Sequence, residues 1–218
     1  MTTLKWHASG EKKYETGVDR GVLYLADESG VYNVAAPWNG LTAVNESPSG
    51  AEPNKSYADN AVYMTLLSAE ELAATIEAYA YPEEFAVCDG TAEAADGVFV
   101  GQQPRQPFAF AYRTKVGDDV KGVDSSFKIH LIYNAYAAPS EKAYSTVNDS
   151  PEATTFSWEL STTPVRVDEN TTTALITIDA SKVAPGKMDS FLKIIWGDEE
   201  TEPSLPSPAE VIAHFATP

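Results

Sequence analysis

The sequence predicts a mainly β fold, a two-sheet β-sandwich or barrel with a flanking α-helix. Three observations carry this prediction: hydrophobic side chains alternate with polar ones in several runs, turn-forming residues separate those runs, and one segment has a well-marked helical period. Of the 218 residues, 43% are hydrophobic and 11% are aromatic. The chain is therefore long and apolar enough to bury a full core, as one large domain or two small ones.

The clearest strands lie in the middle of the chain. Residues 108–113 alternate aromatic side chains with smaller or charged ones, and residues 127–133 alternate in the same way, as strands with one buried face require. The turn-forming segment 117–122 between them predicts a long antiparallel hairpin. Further strands are predicted at 21–25, 38–45, 63–67, 156–160 and 173–179.

Residues 68–81 fit two patterns. Ser68 and Glu71 resemble a helix capping box, whereas alanines and Ile76 alternate with polar residues as in a strand. We expect a turn followed by a strand, because strands surround the segment and residues 82–85 begin a helical turn of their own.

The flanking helix is predicted near 187–196. Met188, Phe191, Leu192 and Ile195 recur at helical spacing, and Gly197 follows them as a stop signal. A second helix is predicted at the C-terminal end, because Ser207 and Glu210 form a capping box around Pro208.

These elements divide the chain into three parts. We expect an N-terminal arm over 1–20, a β-sandwich domain over 21–197 that contains a loop at 46–60, and a C-terminal arm over 198–218 that carries the short helix. Because an acidic, proline-broken linker precedes that helix, we expect the arm to dock on another surface, such as another subunit.

Charge is the most informative property of the composition. Lys and Arg number 15 and Asp and Glu number 32, which gives a net charge of −17. Such a surface repels phosphate, so tight binding to DNA or to an anionic membrane is disfavoured. Residues 56–104 contain acidic residues and no Lys, Arg or His. This stretch is either an ordinary solvated face or a surface along which polyanions slide.

Candidate catalytic residues are few. His7, His130 and His214 lack the spacing of a zinc motif, so we expect them to be structural or solvated. Cys88 is the only cysteine, which excludes an internal disulfide, and its neighbours predict a packing role. The sequence also lacks the common nucleophile and phosphate-binding motifs, and we expect neither export by a Sec-type signal nor a membrane span. We expect no enzymatic activity, no cofactor and no metal.

Several segments, in order and over most of the chain, carry a resemblance to a known family. They include the run Trp38-Asn39-Gly40-Leu41 and the run Tyr81-Pro82-Glu83-Glu84-Phe85. The segments are 14–19, 21–24, 38–52, 57–60, 74–79, 81–85, 88–90, 101–105, 112–115, 130–133, 139–144, 148–153 and 156–159. Together they resemble the major tail tube protein of long, non-contractile-tailed bacteriophages (siphovirus type) of Gram-positive, especially actinobacterial, hosts.

The resemblance implies a structural virion protein that polymerises as stacked hexameric rings to form the tail tube, the conduit for genome ejection. Implied partners are further copies of the chain, a tape-measure protein, the tail terminator and the tail-tip proteins. Double-stranded DNA would pass through transiently without adhering, and no membrane is involved. The implied location is the virion tail, with assembly in the host cytoplasm.

Two groups of site residues follow. Segment 46–60 is rich in turn formers and poor in large apolar groups, so we expect a long loop without secondary structure. The resemblance implies that this loop contacts the adjacent ring, which makes it an assembly loop. Its candidate contact residues are Glu46, Ser47, Pro48, Glu52, Pro53, Tyr57 and Asp59. Candidates for an acidic lumen are Glu77, Glu70 and Glu71.

A carbohydrate-binding β-sandwich module, on a virion or a secreted protein, is the alternative function. It would need three aromatic side chains on one exposed face. The four tryptophans at positions 6, 38, 158 and 196 are the candidates, and we expect them to pack in the core instead, because they fall in unrelated elements.

Overall fold

The computed structural model describes residues 6–147, 149, 152–169 and 171–216. The strands of the main sheet are β1 (Tyr14–Ala26), β2 (Tyr32–Trp38), β3 (Leu41–Gly50), β6 (Glu70–Ala78), β9 (Phe108–Asp118), β10 (Gly122–Ala137), β11 (Phe156–Thr162) and β14 (Leu175–Asp179). Three two-stranded ribbons are β4 (Pro53–Ala58) with β5 (Ala61–Leu67), β7 (Ala92–Ala95) with β8 (Val98–Val100), and β12 (Val165–Arg166) with β13 (Thr172–Thr173). The helices are α1 (Pro185–Trp196) and α2 (Pro208–Ala216), and 3₁₀ turns lie at Glu83–Val87 and Ala180–Lys182.

The main sheet follows the order β2-β1-β9-β10-β11-β6-β3 and branches at β10. Residues 128–132 in the middle of β10 pair with β14, and residues 135–137 near its end pair with β11. The sheet curls until β3 approaches β1, so its strands enclose a barrel that lacks a ladder between these two strands. The predicted fold class, mainly β with a flanking helix, is confirmed.

The barrel interior is filled by large aromatic side chains. Phe108 and Phe110 enter from β9 and Trp158 from β11, because alternate residues of a strand point to the same face. Trp38, at the end of β2, contacts Trp158 edge-on, and Phe85 packs edge-on against it from the 3₁₀ turn. This core joins the two branches of the sheet.

A second core lies between the outer face of the sheet and the two helices. From the sheet, Leu131 of β10 points outwards. Met188, Phe191 and Ile195 of α1 face it as one helical stripe, as the sequence predicts. Gly197 ends α1 with a positive φ of 73°, which a glycine adopts without strain.

The C-terminal segment packs on its own chain. Its helix begins as predicted, with the Ser207 hydroxyl donating to Glu210 Oε2 at 2.7 Å and Pro208 at the first helical position. Leu205 and Val211 are buried in the second core. The arm therefore docks on the barrel of its own chain, while Ile212 on the same helix remains 50% exposed. Docking of this segment on another subunit stays a prediction.

The long central hairpin, the turn and strand over 68–81, and both helices are confirmed. Two predicted boundaries are wrong. The strand predicted at 38–45 is divided between β2 and β3 by Gly40, which turns the chain with a φ of +78°. The predicted arm over 1–20 ends earlier, because β1 begins at Tyr14 and pairs with β9 from its first residue.

Candidate assembly surfaces

The prediction that residues 46–60 form a loop without secondary structure is wrong. Residues 46–50 continue β3 and pair with β6 as far as the Gly50 to Glu70 contact. After a two-residue connection, β4 and β5 form an antiparallel hairpin that leaves the end of the barrel. Asp59 and Asn60 form its tip, both with positive φ, as a two-residue hairpin turn requires.

Every residue of β4 and β5 is exposed, although the hairpin carries many large apolar side chains. Tyr57 is 69% exposed, Tyr63 71% and Leu67 70%. Val62, Met64 and Leu66 are also exposed. An isolated two-stranded hairpin is marginally stable in water, and a contiguous exposed apolar surface marks an interaction site. The hairpin is therefore the strongest candidate for a contact surface.

Six of the seven predicted contact residues fall in three different settings, and the seventh, Glu46, differs from them. Ser47 and Pro48 lie in β3, where they pair with residues of β6. Glu52 precedes the hairpin and is exposed. Pro53, Tyr57 and Asp59 belong to the hairpin, and all three are exposed.

The Glu46 carboxylate makes its polar contacts within the chain. Its Oε1 accepts a hydrogen bond of 2.6 Å from the Tyr112 hydroxyl and lies 3.3 Å from His130 Nδ1. His130 stacks on Tyr112 with the ring centroids 4.7 Å apart, and Glu15 lies on the other side of the imidazole. This cluster joins β1, β3, β9 and β10 at one mouth of the barrel.

Hydrogen bonds and ion pairs within the chain lower the pKa of the carboxyl groups of Glu46, Asp19 and Asp118. The hydrogen bond with His130, followed by that from Tyr112, lowers the pKa of Glu46 despite partial burial. Arg113 donates to both oxygens of Asp19, at 2.7 and 2.6 Å, and lowers the pKa of that carboxyl. Asp118 accepts bonds from the backbone of Lys121 and the hydroxyl of Ser125, and its pKa falls to about 2.

These shifts predict loss of stability in acid. A carboxyl whose pKa is lower in the folded state stabilises the fold above its unfolded pKa, and this contribution disappears as pH falls through the folded pKa. We expect the urea midpoint of unfolding to fall steadily between about pH 5 and about pH 2. Asp118→Asn should unfold more easily at pH 6 and show a smaller drop in midpoint than the wild type. An equal drop in both proteins would contradict this assignment.

The sheet of β3, β6 and β11 has one face inside the barrel and an uncovered outer face. Glu71 and Glu77 share the outer face, because Ala74 and Ile76 of β6 point inwards. Glu70 is the first residue of β6 and precedes Glu71, so its side chain belongs to the opposite face of the sheet from Glu71 and Glu77. Pairing with β11 adds Glu159 beside Thr75, and none of these three strands contains Lys or Arg. Sequence reasoning missed Glu159, because its proximity to β6 depends on strand pairing.

Cys88 has the packing role that the sequence predicts. Burial raises the pKa of the Cys88 thiol to about 12, and Asp89 acts in the same direction, so this thiol packs against the aromatic core. Over the described ranges, no group of three His, Cys, Asp or Glu side chains is arranged to hold a metal ion. In the same ranges, no helix has the length and hydropathy needed to cross a membrane.

The tryptophans do not form a sugar-binding platform. Trp38 and Trp158 are buried in the barrel, as predicted. The expected core packing is wrong for Trp6, which is 74% exposed, and Trp196 lies at the end of α1 with the guanidinium of Arg20 over its ring. No observation here favours the carbohydrate-binding alternative.

No protein-family model and no curated protein matches the sequence. Solved structures do show some similarity. The SPP1 tail tube, solved by solid-state NMR and cryo-EM, is 11% identical with a TM-score of 0.40, over 78% of this chain and 85% of that chain. The PVC sheath-tube complex of an extracellular contractile injection system is 12% identical with a TM-score of 0.35, over 74% of this chain and 89% of that chain. The anti-feeding prophage baseplate is 9% identical with a TM-score of 0.36, over 84% and 100%. With TM-scores of this size, the function has to be inferred from the chain's own surfaces.

Proposed function

We propose that this protein is a non-enzymatic structural subunit of a siphovirus-type bacteriophage tail tube. It polymerises as stacked hexameric rings, and the tube later conducts the genome out of the virion. The observation that carries the proposal is the β4–β5 hairpin, which is exposed along its whole length and rich in apolar side chains. The sequence resemblance to tail tube proteins supports the same function.

The hairpin is built to reach another subunit. It follows directly on the paired strands β3 and β6, with two residues on each side between the Gly50–Glu70 pair and the Pro53–Leu67 pair, so it projects from the end of the barrel. Its apolar side chains gain stability only when a partner removes them from water. A second copy in the adjacent ring supplies that partner in the proposed tube.

The acidic outer face of β3, β6 and β11 suits a tube lumen. The outer face of the β1–β9–β10–β14 branch is covered by the helices, whereas this face carries Glu71, Glu77 and Glu159 among small polar side chains. A lumen of this charge repels DNA phosphates, so a genome can move through without being retained.

The other proposed partners occupy the lumen and the two ends of the tube. Further copies extend the stack, the tape-measure protein occupies the lumen during assembly, and the tail terminator and tail-tip proteins cover the last rings. In this proposal, assembly takes place in the host cytoplasm and the product resides in the virion tail.

Negative-stain microscopy of the purified protein tests the function. We expect rings or hollow tubes above a critical concentration. Because subunits with a charge of −17 repel one another and salt screens that repulsion beyond about 10 Å at 0.1 M, the critical concentration should fall from low to moderate salt. A folded protein that stays monomeric at every salt and protein concentration would contradict the proposal, as would binding to a glycan array without polymerisation.

A further inference from the structure

A groove lies on the side of the barrel between β1, β2, the start of β3 and the end of α1. Its volume is about 580 Å³. Its lining is mainly apolar and includes Val18, Pro37, Trp38, Leu41 and Trp196. The hairpin contact proposed above makes no use of this surface, which lies on the barrel wall.

Arg20 is the basic residue of the groove lining, which also contains Asp19. Its guanidinium lies over the Trp196 ring at 4.5 Å from the centroid. Among the described residues Arg20 forms no ion pair, and both carboxylate oxygens of the adjacent Asp19 accept hydrogen bonds from Arg113. Arg20 also has a φ of +51°, a conformation that costs a non-glycine residue free energy and that clusters at functional positions.

The β7–β8 hairpin has the complementary chemistry. It is a second isolated two-stranded ribbon, and Val98, Phe99 and Val100 are exposed, Phe99 by 59%. Its tip is acidic: Glu93 Oε1 accepts a hydrogen bond from the Gly97 amide, and Asp96 is exposed. The hairpin therefore offers an apolar strand and a carboxylate together.

We propose that the groove beside Arg20 binds the β7–β8 hairpin of a second copy of this chain. Asp96 would face Arg20, and the apolar side chains of β8 would cover the apolar wall of the groove. Charge complementarity selects this occupant: the β4–β5 hairpin carries Lys55 as well as an acid, whereas the β7–β8 ribbon carries only acids. The groove and the β7–β8 hairpin are different surfaces of the same chain. When two copies bind, the groove of one and the hairpin of the other remain free, so the contact can repeat around a ring or along a filament.

This inference rests on the proposed self-assembly. Reversing the charges of Arg20 and Asp96 tests the groove contact separately from self-assembly itself. Arg20→Glu and Asp96→Lys should each raise the critical concentration for polymerisation by about tenfold or more, since like charges then meet at the contact. The double variant should return most of the way to the wild-type value. Lys182→Glu and Glu28→Lys, exposed residues that make the same charge changes elsewhere, serve as matched controls and should polymerise like the wild type.

A cross-linking measurement keeps the test independent of the folding of these variants. Benzoylphenylalanine in place of Phe99 should form, in the polymer, an intermolecular cross-link to residues 18–22, 35–41 or 195–203. Wild-type polymerisation with unchanged single variants, a double variant no better than either single one, or cross-links only elsewhere would overturn this contact and leave the tube proposal standing. Absence of any polymer in the wild type would overturn both.

Discussion

Replacement of residues 51–69 by a short Gly/Ser turn is expected to abolish polymerisation and leave the barrel folded. The hairpin contributes to neither hydrophobic core, and the β3–β6 pairing ends at Gly50 and Glu70, which the replacement keeps. The expected result is a monomer at concentrations at which the wild type forms tubes. Light scattering and sedimentation velocity measure it, and circular dichroism checks the fold.

Point variants sharpen this experiment, because they keep the hairpin. Tyr57, Tyr63 and Leu67 changed together to Ser should raise the critical concentration strongly, since these are its most exposed large side chains. Tyr144→Ser with Val147→Ser, two exposed apolar residues outside the hairpin, is the matched control and should have little effect. A folded deletion variant that polymerises at the wild-type concentration would show that the hairpin is dispensable.

Trp158→Ala should destabilise the fold by about 3–5 kcal/mol, the range for loss of a fully buried large aromatic side chain. Trp158 is fully buried, and its ring lies 5.2 to 5.5 Å from those of Tyr81, Phe85 and Trp38. Removal leaves a cavity where the two branches of the sheet meet. Urea unfolding at neutral pH measures the change in the free energy of unfolding.

Trp158→Phe is the matched variant for that prediction. It keeps most of the ring contacts and removes the indole N–H, which has no hydrogen-bond partner among the described residues. Because a buried unpaired donor costs about 1–3 kcal/mol, removing it offsets part of the lost packing, and the net loss should be much smaller than for Ala. A loss below about 1 kcal/mol for Trp158→Ala would contradict the packing described for the barrel.

The parts of the fold that the sequence predicts well are those whose pattern is local. The hairpin of β9 and β10 follows from strict alternation, and α1 follows from its apolar stripe and from Pro185 and Gly197 at its ends. The prediction of one strand over 38–45 fails at Gly40, whose positive φ turns the chain between β2 and β3.

The largest error, the loop at 46–60, has a physical cause. Proline and glycine mark this segment as irregular, yet Pro48 is tolerated in β3, because this strand ends the sheet order and needs a ladder partner on one side only. The Asp59-Asn60 pair between apolar runs was a usable hairpin signal, since both residues accept a positive φ.

The polar cluster around His130 could not be predicted from sequence. Glu15, Glu46, Tyr112 and His130 come from four strands, and only the register of those strands brings them together. The same applies to Glu159, which joins Glu77 through the β6–β11 pairing. Sequence showed the acidic character of the middle of the chain, and strand pairing decides which of its carboxylates share a face.

A cryo-EM map of the polymer formed by the full chain tests the central claim most directly. The result expected is a hollow tube of stacked six-membered rings, with the β4–β5 hairpin against the next ring and Glu71, Glu77 and Glu159 facing a negatively charged lumen. A solid or open assembly, a hairpin left in solvent, or a lumen lined by the helices or by basic side chains would contradict it.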